Sequence, residues 1–227
     1  MSKPTEGIVV YGRRNSLNVQ KVMWALGELE LPYERIDVGG SFGYPDDYVA
    51  LNPNTVVPTL RDGALVLWES GAIVRYLSQR YGVGLLWPED PNRAALADQW
   101  MDWHKDRVSV GFFDVFINQI RLPAAKADAA AIERGAKIAA RQFALLDAHL
   151  AGSAYLAGEQ FSCGDIPMGA MTYRYLALAI DRPPLPNVER WLAQLEQRPV
   201  FAYHVAIPFG SNVDEWDALE AASAGIQ

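Results

Sequence analysis

The sequence is poor in the residues that form disulfides and bind metals. It has one cysteine, Cys163, and three scattered histidines among 227 residues. A single cysteine excludes an internal disulfide and a Cys-X-X-Cys redox pair, which fits a reducing compartment. Because cysteine and histidine do not cluster, we expect no metal site.

The sequence also lacks a basic excess and a long apolar run. It carries 20 Lys and Arg against 27 Asp and Glu, a formal net charge of −7 at pH 7. This balance argues against nucleic acid as a partner, because a phosphate-binding surface needs clustered cations. No stretch has the length of a membrane span, and residues 1–7 are polar. We therefore expect a cytoplasmic protein with no membrane partner.

The first third of the chain alternates between strand and helix patterns. A short apolar run at residues 8–11 precedes apolar residues at helical spacing up to Leu29, and a second strand pattern follows at residues 33–38. Asp62-Gly63 between two apolar runs predicts a hairpin, and a helix pattern then continues to Gly82. This order, βαβ followed by ββα, predicts a thioredoxin-like α/β domain.

The remainder of the chain shows helix patterns only. Apolar residues recur at helical spacing from residue 93 onward, after a stretch rich in glycine and proline. The Ala-rich, acidic tail after Asp214 predicts a frayed end. The expected organisation is a thioredoxin-like domain at residues 1–84, a linker at 85–90 and an all-α domain at 91–227.

Four segments resemble cytosolic glutathione S-transferases, and the resemblance covers nearly the whole chain. They are YGRRNSLNVQKV at residues 11–22, NPNTVVPTL at 52–60, WESGAI at 68–73 and FSCGDIP at 161–167. The last is similar to the cap that precedes the buried helix of that family. Residues 12–16 and 39–43 also resemble the bacterial subgroup called glutathione transferase B. The resemblance implies the same two-domain fold, glutathione as co-substrate and a homodimer.

Ser16 has the position and the chemistry to hold a thiolate. A free thiol has a pKa near roughly 8.5, so it is mostly protonated at neutral pH. Ser16 stands before a helix predicted to begin near Asn18, where a hydroxyl donor and the helix N-terminus both favour an anion. The resemblance implies that Ser16, Asn18 and Arg14 are catalytic. The alternative is that Ser16 or Asn18 simply caps the helix.

Two further segments are expected to bind glutathione by resemblance. Val57-Pro58 is similar to a cis-proline turn whose main chain pairs with the cysteinyl unit. Glu69-Ser70 begins a helix that holds the γ-glutamyl group, with Ser70 on the carboxylate and Glu69 on the ammonium. The alternatives are an ordinary turn proline and a helix cap with an acidic first turn.

The sequence departs from the family in places. Thr55 and Val56 stand where relatives often have a side chain that reaches the glycine carboxylate. Neither tyrosine nor cysteine occupies the thiol position, because Tyr11 falls in a strand, which disfavours the tyrosine-type and omega-type classes. Cys163 is expected to be a small buried residue. The substitutes expected for the glycine contact are Arg13, Arg14, Lys21 and the 39–43 loop.

The electrophile is expected beside the two arginines that precede Ser16. Guanidinium groups next to a thiolate suit a small anionic or electron-poor electrophile. The alternative for the aromatics of residues 100–116 is core and subunit packing, and His104 is expected on a helix surface. The candidate electrophile residues are Arg13, Arg14, Trp103, Arg107 and Phe112.

Three functions are compatible with the sequence. The first is a detoxifying transferase that conjugates glutathione to small electrophiles, supported by Ser16, Val57-Pro58 and Glu69-Ser70 together. The second is a glutathione-dependent disulfide reductase or peroxidase, which Asn18 beside the thiol position allows. The third is a non-catalytic binding module, because fold alone does not fix function.

Overall fold

A mixed four-stranded sheet forms the first part of the protein. The computed structural model describes residues 7–227. The strand order is β2-β1-β3-β4, with β1 parallel to β2 and antiparallel to β3, which pairs antiparallel with β4. A short turn after Asp62, with Gly63 at φ 58°, joins β3 to β4 as the predicted hairpin. The strands are β1 (Ile8–Tyr11), β2 (Tyr33–Ile36), β3 (Thr59–Asp62) and β4 (Leu65–Trp68).

Two long helices, α1 and α3, cover the sheet with a continuous apolar surface. Val19 of α1 and Ile73 of α3 are fully buried, as are Val10 and Leu60 on the strands. This spacing of apolar residues on helices and strands produces the predicted thioredoxin-like domain. The helices of this part are α1 (Leu17–Glu28), the single turn α2 (Tyr48–Leu51) and α3 (Ser70–Tyr81).

Helices alone make up the rest of the described chain, as the sequence predicts. Wide π-helical turns at His104–Val108 and Ile117–Arg121 flank α5, a feature that often marks a functional site. These helices are α4 (Pro91–Trp103), α5 (Ser109–Phe116), α6 (Ala129–Leu150), α7 (Asp165–Ala177), α8 (Pro186–Glu196), α9 (Pro199–His204) and α10 (Val213–Ala222).

The helices α5 and α6 approach each other closely because glycine occupies both sides of their crossing. A Cβ on Gly111 would lie 2.8 Å from the carbonyl oxygen of Gly135, and one on Gly135 would lie 2.6 Å from that of Gly111. Next to this crossing, the rings of Phe143 and Tyr175 stack with centroids 3.7 Å apart. This packing sets the position of α5, which forms one wall of the site described below.

The helix α1 joins the sheet to the helical part. Its buried Trp24 packs edge-to-face on Phe201 of α9, with ring centroids 4.8 Å apart. In the segment between α3 and α4, Leu86 is buried and its carbonyl accepts a hydrogen bond from the amide of Cys163 at 2.8 Å. The division into domains at 85–90 stays a prediction. Within residues 7–227 there is no helix that has both the length and the apolar character of a membrane span.

The acidic tail is ordered, so the predicted frayed end is wrong. It forms α10, capped by Asn212, whose side chain accepts from the amide of Glu215 at 3.0 Å. Trp216 and Glu220 are each 1% exposed. The tail has one large aromatic side chain among many alanines, and burial of that indole holds the helix against α5.

Candidate active site

Two adjoining cavities open at the N-terminus of α1. The larger has a volume of about 260 Å³ and the smaller about 200 Å³. Asn18 and Phe113 line both of them. The cavities are therefore neighbours between the sheet and the helices, and together they are called the cleft below.

Ser16 occupies the N-cap position of α1 but does not cap the helix. Its backbone is extended, at φ −69° and ψ 122°, and its side chain makes no capping hydrogen bond. The residue is 8% exposed and lines the larger cavity. The hydroxyl is thus available to a ligand at the positive end of the helix dipole, as a thiolate-binding role requires.

The turn before β3 presents main-chain groups to the same cavity. The Val57–Pro58 peptide bond is cis, in agreement with the resemblance. Hydrogen bonds to the Val56 carbonyl from the Tyr48 hydroxyl and the Asn52 amide, both 2.9 Å long, hold the turn. Among residues 7–227 the amide and carbonyl of Val57 have no hydrogen-bond partner, which leaves them for an extended peptide ligand.

Glu69 and Ser70 begin α3 at the edge of the smaller cavity. Glu69 has a positive φ of 71°, a conformation that costs a residue with a side chain on the order of 1 kcal/mol or more. Its carboxylate contacts the Lys105 amino group at 3.2 Å, while the Ser70 hydroxyl donates to Asn18 Oδ1 at 3.4 Å. The free amides of this helix end and the Ser70 hydroxyl suit a carboxylate ligand.

Asn18 belongs to a buried polar cluster with Lys21 and His104. The Lys21 amino group donates to Asn18 Oδ1 at 2.9 Å and lies 3.4 Å from His104 Nε2. Burial, with a smaller contribution from Arg174, lowers the pKa of Lys21 to about 7. Burial likewise holds the pKa of His104 well below its usual value. His104 is 4% exposed, so its predicted surface position is wrong.

Three arginines line the larger cavity or lie at its wall, with one nearby carboxylate. Arg174 is 1% exposed and donates to the Asn15 carbonyl at 2.6 Å and to Gln20 Oε1 at 2.9 Å. Arg121 lies over the Trp216 ring at 4.4 Å, and Arg13 pairs with Glu220 at 2.7 Å. Burial lowers the pKa of Arg174 to about 9. The cavity thus has a positive electrostatic character.

Most of the residues predicted to bind the electrophile do not line either cavity. Arg14 turns away, donating to the Tyr203 carbonyl at 2.8 Å, and Phe112 is fully buried behind the wall. Trp103 packs on Trp100, and neither it nor Arg107 lines either cavity. Of the predicted set, only Arg13 faces the cleft. The residues that instead form the helical wall are Phe113, Phe116, Ile117, Arg121, Arg174 and Trp216.

Sequence signals exist for only some of these wall residues. Arg174 is the one charged residue of α7 after Asp165 at the helix start, in a run of mostly uncharged residues, which marks it as a buried group with a special role. Phe113 and Ile117 are four residues apart, one helical turn, and the helix rotation decides whether their face or that of Phe112 lines the cavity. Trp216 lies too far along the chain for any pattern to place it here.

Cys163 lies outside the cleft and is chemically inert. It is fully buried, and burial raises the pKa of its thiol to about 12. The protein therefore offers no thiolate of its own, and any thiol chemistry in the cleft depends on a thiol ligand.

The fold and the cleft define a class of protein: a thioredoxin-like part joined to a helical one, with a cleft between them that Ser16, Val57 and Ser70 line. Family models for the glutathione S-transferase N-terminal domain and C-terminal domain match residues 10–90 and 129–194. Glutathione S-transferase GstB of Escherichia coli K12 is 43% identical over 205 residues, covering 88% of this chain and 99% of that protein. Glutathione S-transferase 3 of Zea mays is 32% identical over 212 residues, covering 87% and 92%.

A solved structure supports the same family. The theta class glutathione S-transferase of Xanthomonas axonopodis pv. citri, with glutathione bound, has a TM-score of 0.86 and 44% identity, covering 90% of this chain and 99% of that one. Its apo form gives a TM-score of 0.79, covering 91% and 100%. The chain belongs to the glutathione S-transferase family. The predicted fold, enzyme class and transferase function are confirmed with it.

Proposed function

We propose that this transferase activates the glutathione thiol with Ser16 and conjugates it to small anionic or electron-poor electrophiles. The observation that carries the proposal is the free Ser16 hydroxyl at the N-terminus of α1. It lines the same cavity as Val57, and Asn18 links that cavity to the one at Glu69 and Ser70. The three segments together offer a hydroxyl donor, main-chain partners and a carboxylate site, which are the groups that a tripeptide thiol needs.

Glutathione extends along the cleft in this proposal. The cysteinyl unit pairs with the main chain of Val57, and Ser70 with the start of α3 holds the γ-glutamyl carboxylate. Glu69 pairs with the ammonium group. Among the four groups expected to reach the glycine carboxylate, Arg13 alone lines the larger cavity, so we assign that contact to Arg13.

The Ser16 hydroxyl then donates a hydrogen bond to the thiolate sulfur. Lowering a thiol pKa by two units requires about 2.7 kcal/mol, which one charge-assisted hydrogen bond and a helix end can supply. The thiol proton leaves to solvent, and the sulfur lone pair forms the carbon–sulfur bond. The leaving group departs with its bonding electrons. Arg121 and Arg174 stabilise negative charge on the electrophile.

The test compares Ser16→Ala with Ser16→Thr, which keeps a hydroxyl. We expect Ser16→Ala to lower kcat/KM for conjugation at least about 10-fold and to raise the pKa of bound glutathione, with little change in its Kd. Ser16→Thr should retain part of the activity. Normal turnover by Ser16→Ala would show that Asn18, and not Ser16, stabilises the thiolate. A wild-type protein that does not bind glutathione would exclude the proposal.

Glutathione-dependent disulfide reduction is the second candidate, favoured by Asn18 at the junction of the two cavities. Because Cys163 is buried, bound glutathione must attack the mixed disulfide itself. Attack of its thiolate on the glutathione sulfur of that disulfide forms glutathione disulfide and releases the other half as a thiolate, which takes a proton from solvent. Faster turnover of a mixed disulfide than of any halide would favour this reaction over conjugation.

We further propose a cytoplasmic homodimer with a role in detoxification. Large apolar side chains on β4 and α4 are exposed: Leu65 and Trp68 at 39% each, and Leu96 at 44%. Such exposure supports an interface with a second copy. A light-scattering mass of twice 25.1 kDa would confirm the dimer, and a monomeric mass would exclude it.

A further inference from the structure

The side-chain amide of Asn18 has one orientation, because Lys21 and Ser70 both donate a hydrogen bond to the same one of its atoms. The Lys21 amino group lies 2.9 Å from Asn18 Oδ1, and the Ser70 hydroxyl lies 3.4 Å from the same atom. Lys21 Nζ and Ser70 Oγ both donate to this one atom, so the amide atom that faces them is the oxygen. The position of Lys21 therefore determines which end of the Asn18 amide is the nitrogen.

The nitrogen end of this amide is free for a ligand. Lys21 and Ser70 line the smaller cavity, whereas Asn18 also lines the larger one together with Ser16. Among residues 7–227 Asn18 Nδ2 donates to no acceptor. Because the oxygen is bonded to two groups of the smaller cavity, and Asn18 also lines the larger cavity with Ser16, we assign the amide nitrogen to the larger cavity.

We propose that Lys21 is a positioning residue, which holds the Asn18 amide so that Nδ2–H is a second hydrogen-bond donor to the glutathione thiolate, beside the Ser16 hydroxyl. The proposal rests on the thiolate site of the proposed function and adds a residue to it. Two donors of this kind around one sulfur stabilise the anion more than one does.

The surroundings of Lys21 keep its amino group directed at Asn18. It is 3% exposed, and His104 Nε2 lies 3.4 Å from it, within hydrogen-bond distance. The charged groups that act on it are Arg174, Lys105 and Glu69, from α7, the π turn and the start of α3. Of these three charges only Glu69 attracts the Lys21 ammonium. The polar contacts with Asn18 and His104 are therefore what mainly hold the amino group in place.

A double-mutant cycle on Asn18→Ala and Lys21→Met tests the proposal. The measurement is the pKa of bound glutathione, followed by thiolate ultraviolet absorbance against pH. We expect each single variant to raise it by about one unit, a 10-fold loss of thiolate at neutral pH. In the Asn18→Ala background, Lys21→Met should have no further effect, because Lys21 acts through Asn18.

The opposite outcome is equally clear. If Lys21→Met raises the thiol pKa in the Asn18→Ala background as much as in the wild type, Lys21 acts by its own charge and the proposal is wrong. Lys105→Met is the charge-matched control, since Lys105 lines the same cavity without touching Asn18. We expect it to move the thiol pKa by much less than Lys21→Met.

Nuclear magnetic resonance keeps the proposal testable if Lys21→Met does not fold. Glutathione should shift the side-chain amide protons of Asn18 downfield in the wild-type protein, whereas S-methylglutathione, which has no thiolate, should not. Equal shifts with both ligands would overturn the proposal. Failure of the proposed function itself is distinguishable, because Ser16→Ala would then leave the thiol pKa unchanged.

Discussion

Glu220 of the last helix reaches Arg13 in the loop after β1, with its Oε2 atom 2.7 Å from the arginine Nε. The amide of Ser41 donates to the same carboxylate at 2.7 Å. Gly40 makes room for it, because a Cβ there would lie 2.4 Å from Glu220 Oε1. Burial alone would raise the pKa of Glu220, but the Ser41 amide and Arg13 lower it overall. A carboxylate of the protein thus neutralises part of the cationic cavity.

Glu220→Gln should therefore favour anionic electrophiles. Removing the carboxylate charge leaves Arg13, Arg121 and Arg174 without their nearby anion, and glutamine still accepts from Ser41. We expect KM for a haloacid to fall about 3- to 10-fold, with KM for a neutral aryl halide nearly unchanged. An equal change for both substrates would show that Glu220 affects the cavity only through its shape.

Arg174→Met should have the opposite effect on anionic electrophiles. Methionine fills similar space among Phe116, Phe209 and Trp216 but removes the guanidinium. We expect kcat/KM for a haloacid to fall about 10-fold or more, while the neutral halide loses less. Arg174→Lys should not restore it, since an ammonium cannot replace the two bonds to Asn15 and Gln20 and still face the cavity. Equal losses for both substrates would contradict an electrostatic role.

The side of the cleft formed by Ser16, Val57 and Ser70 is predictable from sequence, because these residues stand at the ends of strands and helices. Periodicity places the element boundaries, and the role proposed for each residue comes from the family resemblance. The hairpin at Gly63 follows from the same kind of local rule. These elements meet in one cleft because a thioredoxin-like sheet brings its connections to one side.

The electrophile half depends on distant contacts that no local rule supplies. Arg174 and Trp216 are 42 positions apart in the chain, yet the guanidinium lies 5.6 Å from the indole. Arg14 is close to Ser16 in the chain, but its side chain is drawn to the Tyr203 carbonyl of α9. Helix rotation places Phe112 inward and Phe113 at the cavity. Packing of whole helices decides these positions, and residue spacing does not encode it.

Lys21 should make the protein more stable as pH rises above neutrality. Its pKa is about 7 in the folded protein, below the ordinary 10.5, so between these values the unfolded chain binds a proton that the folded chain does not. Rising pH therefore stabilises the fold, by about 2 kcal/mol between pH 7 and 9 if the site is free of ligand. Urea unfolding at several pH values should show this rise in the wild type and lose it in Lys21→Met. Lys105→Met, which changes an exposed lysine, should keep this rise in stability.

Asp165 at the start of α7 should be costly to remove, because its carboxylate holds buried donors from three other parts of the chain. Its carboxylate accepts from the Leu156 amide at 2.9 Å, the Ser162 amide at 3.0 Å and the Trp191 indole at 3.1 Å, and it is fully buried. Burial raises its pKa to about 6 despite these bonds, so the charge carries a desolvation cost that the three donors offset only in part.

Asp165→Ala leaves those three buried donors without an acceptor, so we expect a loss of about 3 kcal/mol or more in the free energy of unfolding. Asp128→Ala is the matched control, because Asp128 caps α6 at the surface and accepts from the amides of Ala130 and Ala131. Water can replace that cap, and its loss should cost about 1 kcal/mol. Equal losses of unfolding free energy for the two variants in urea would show that burial of the Asp165 carboxylate adds nothing to stability. A larger loss for Asp165→Ala would show that this one buried carboxylate holds the start of α7 against α8.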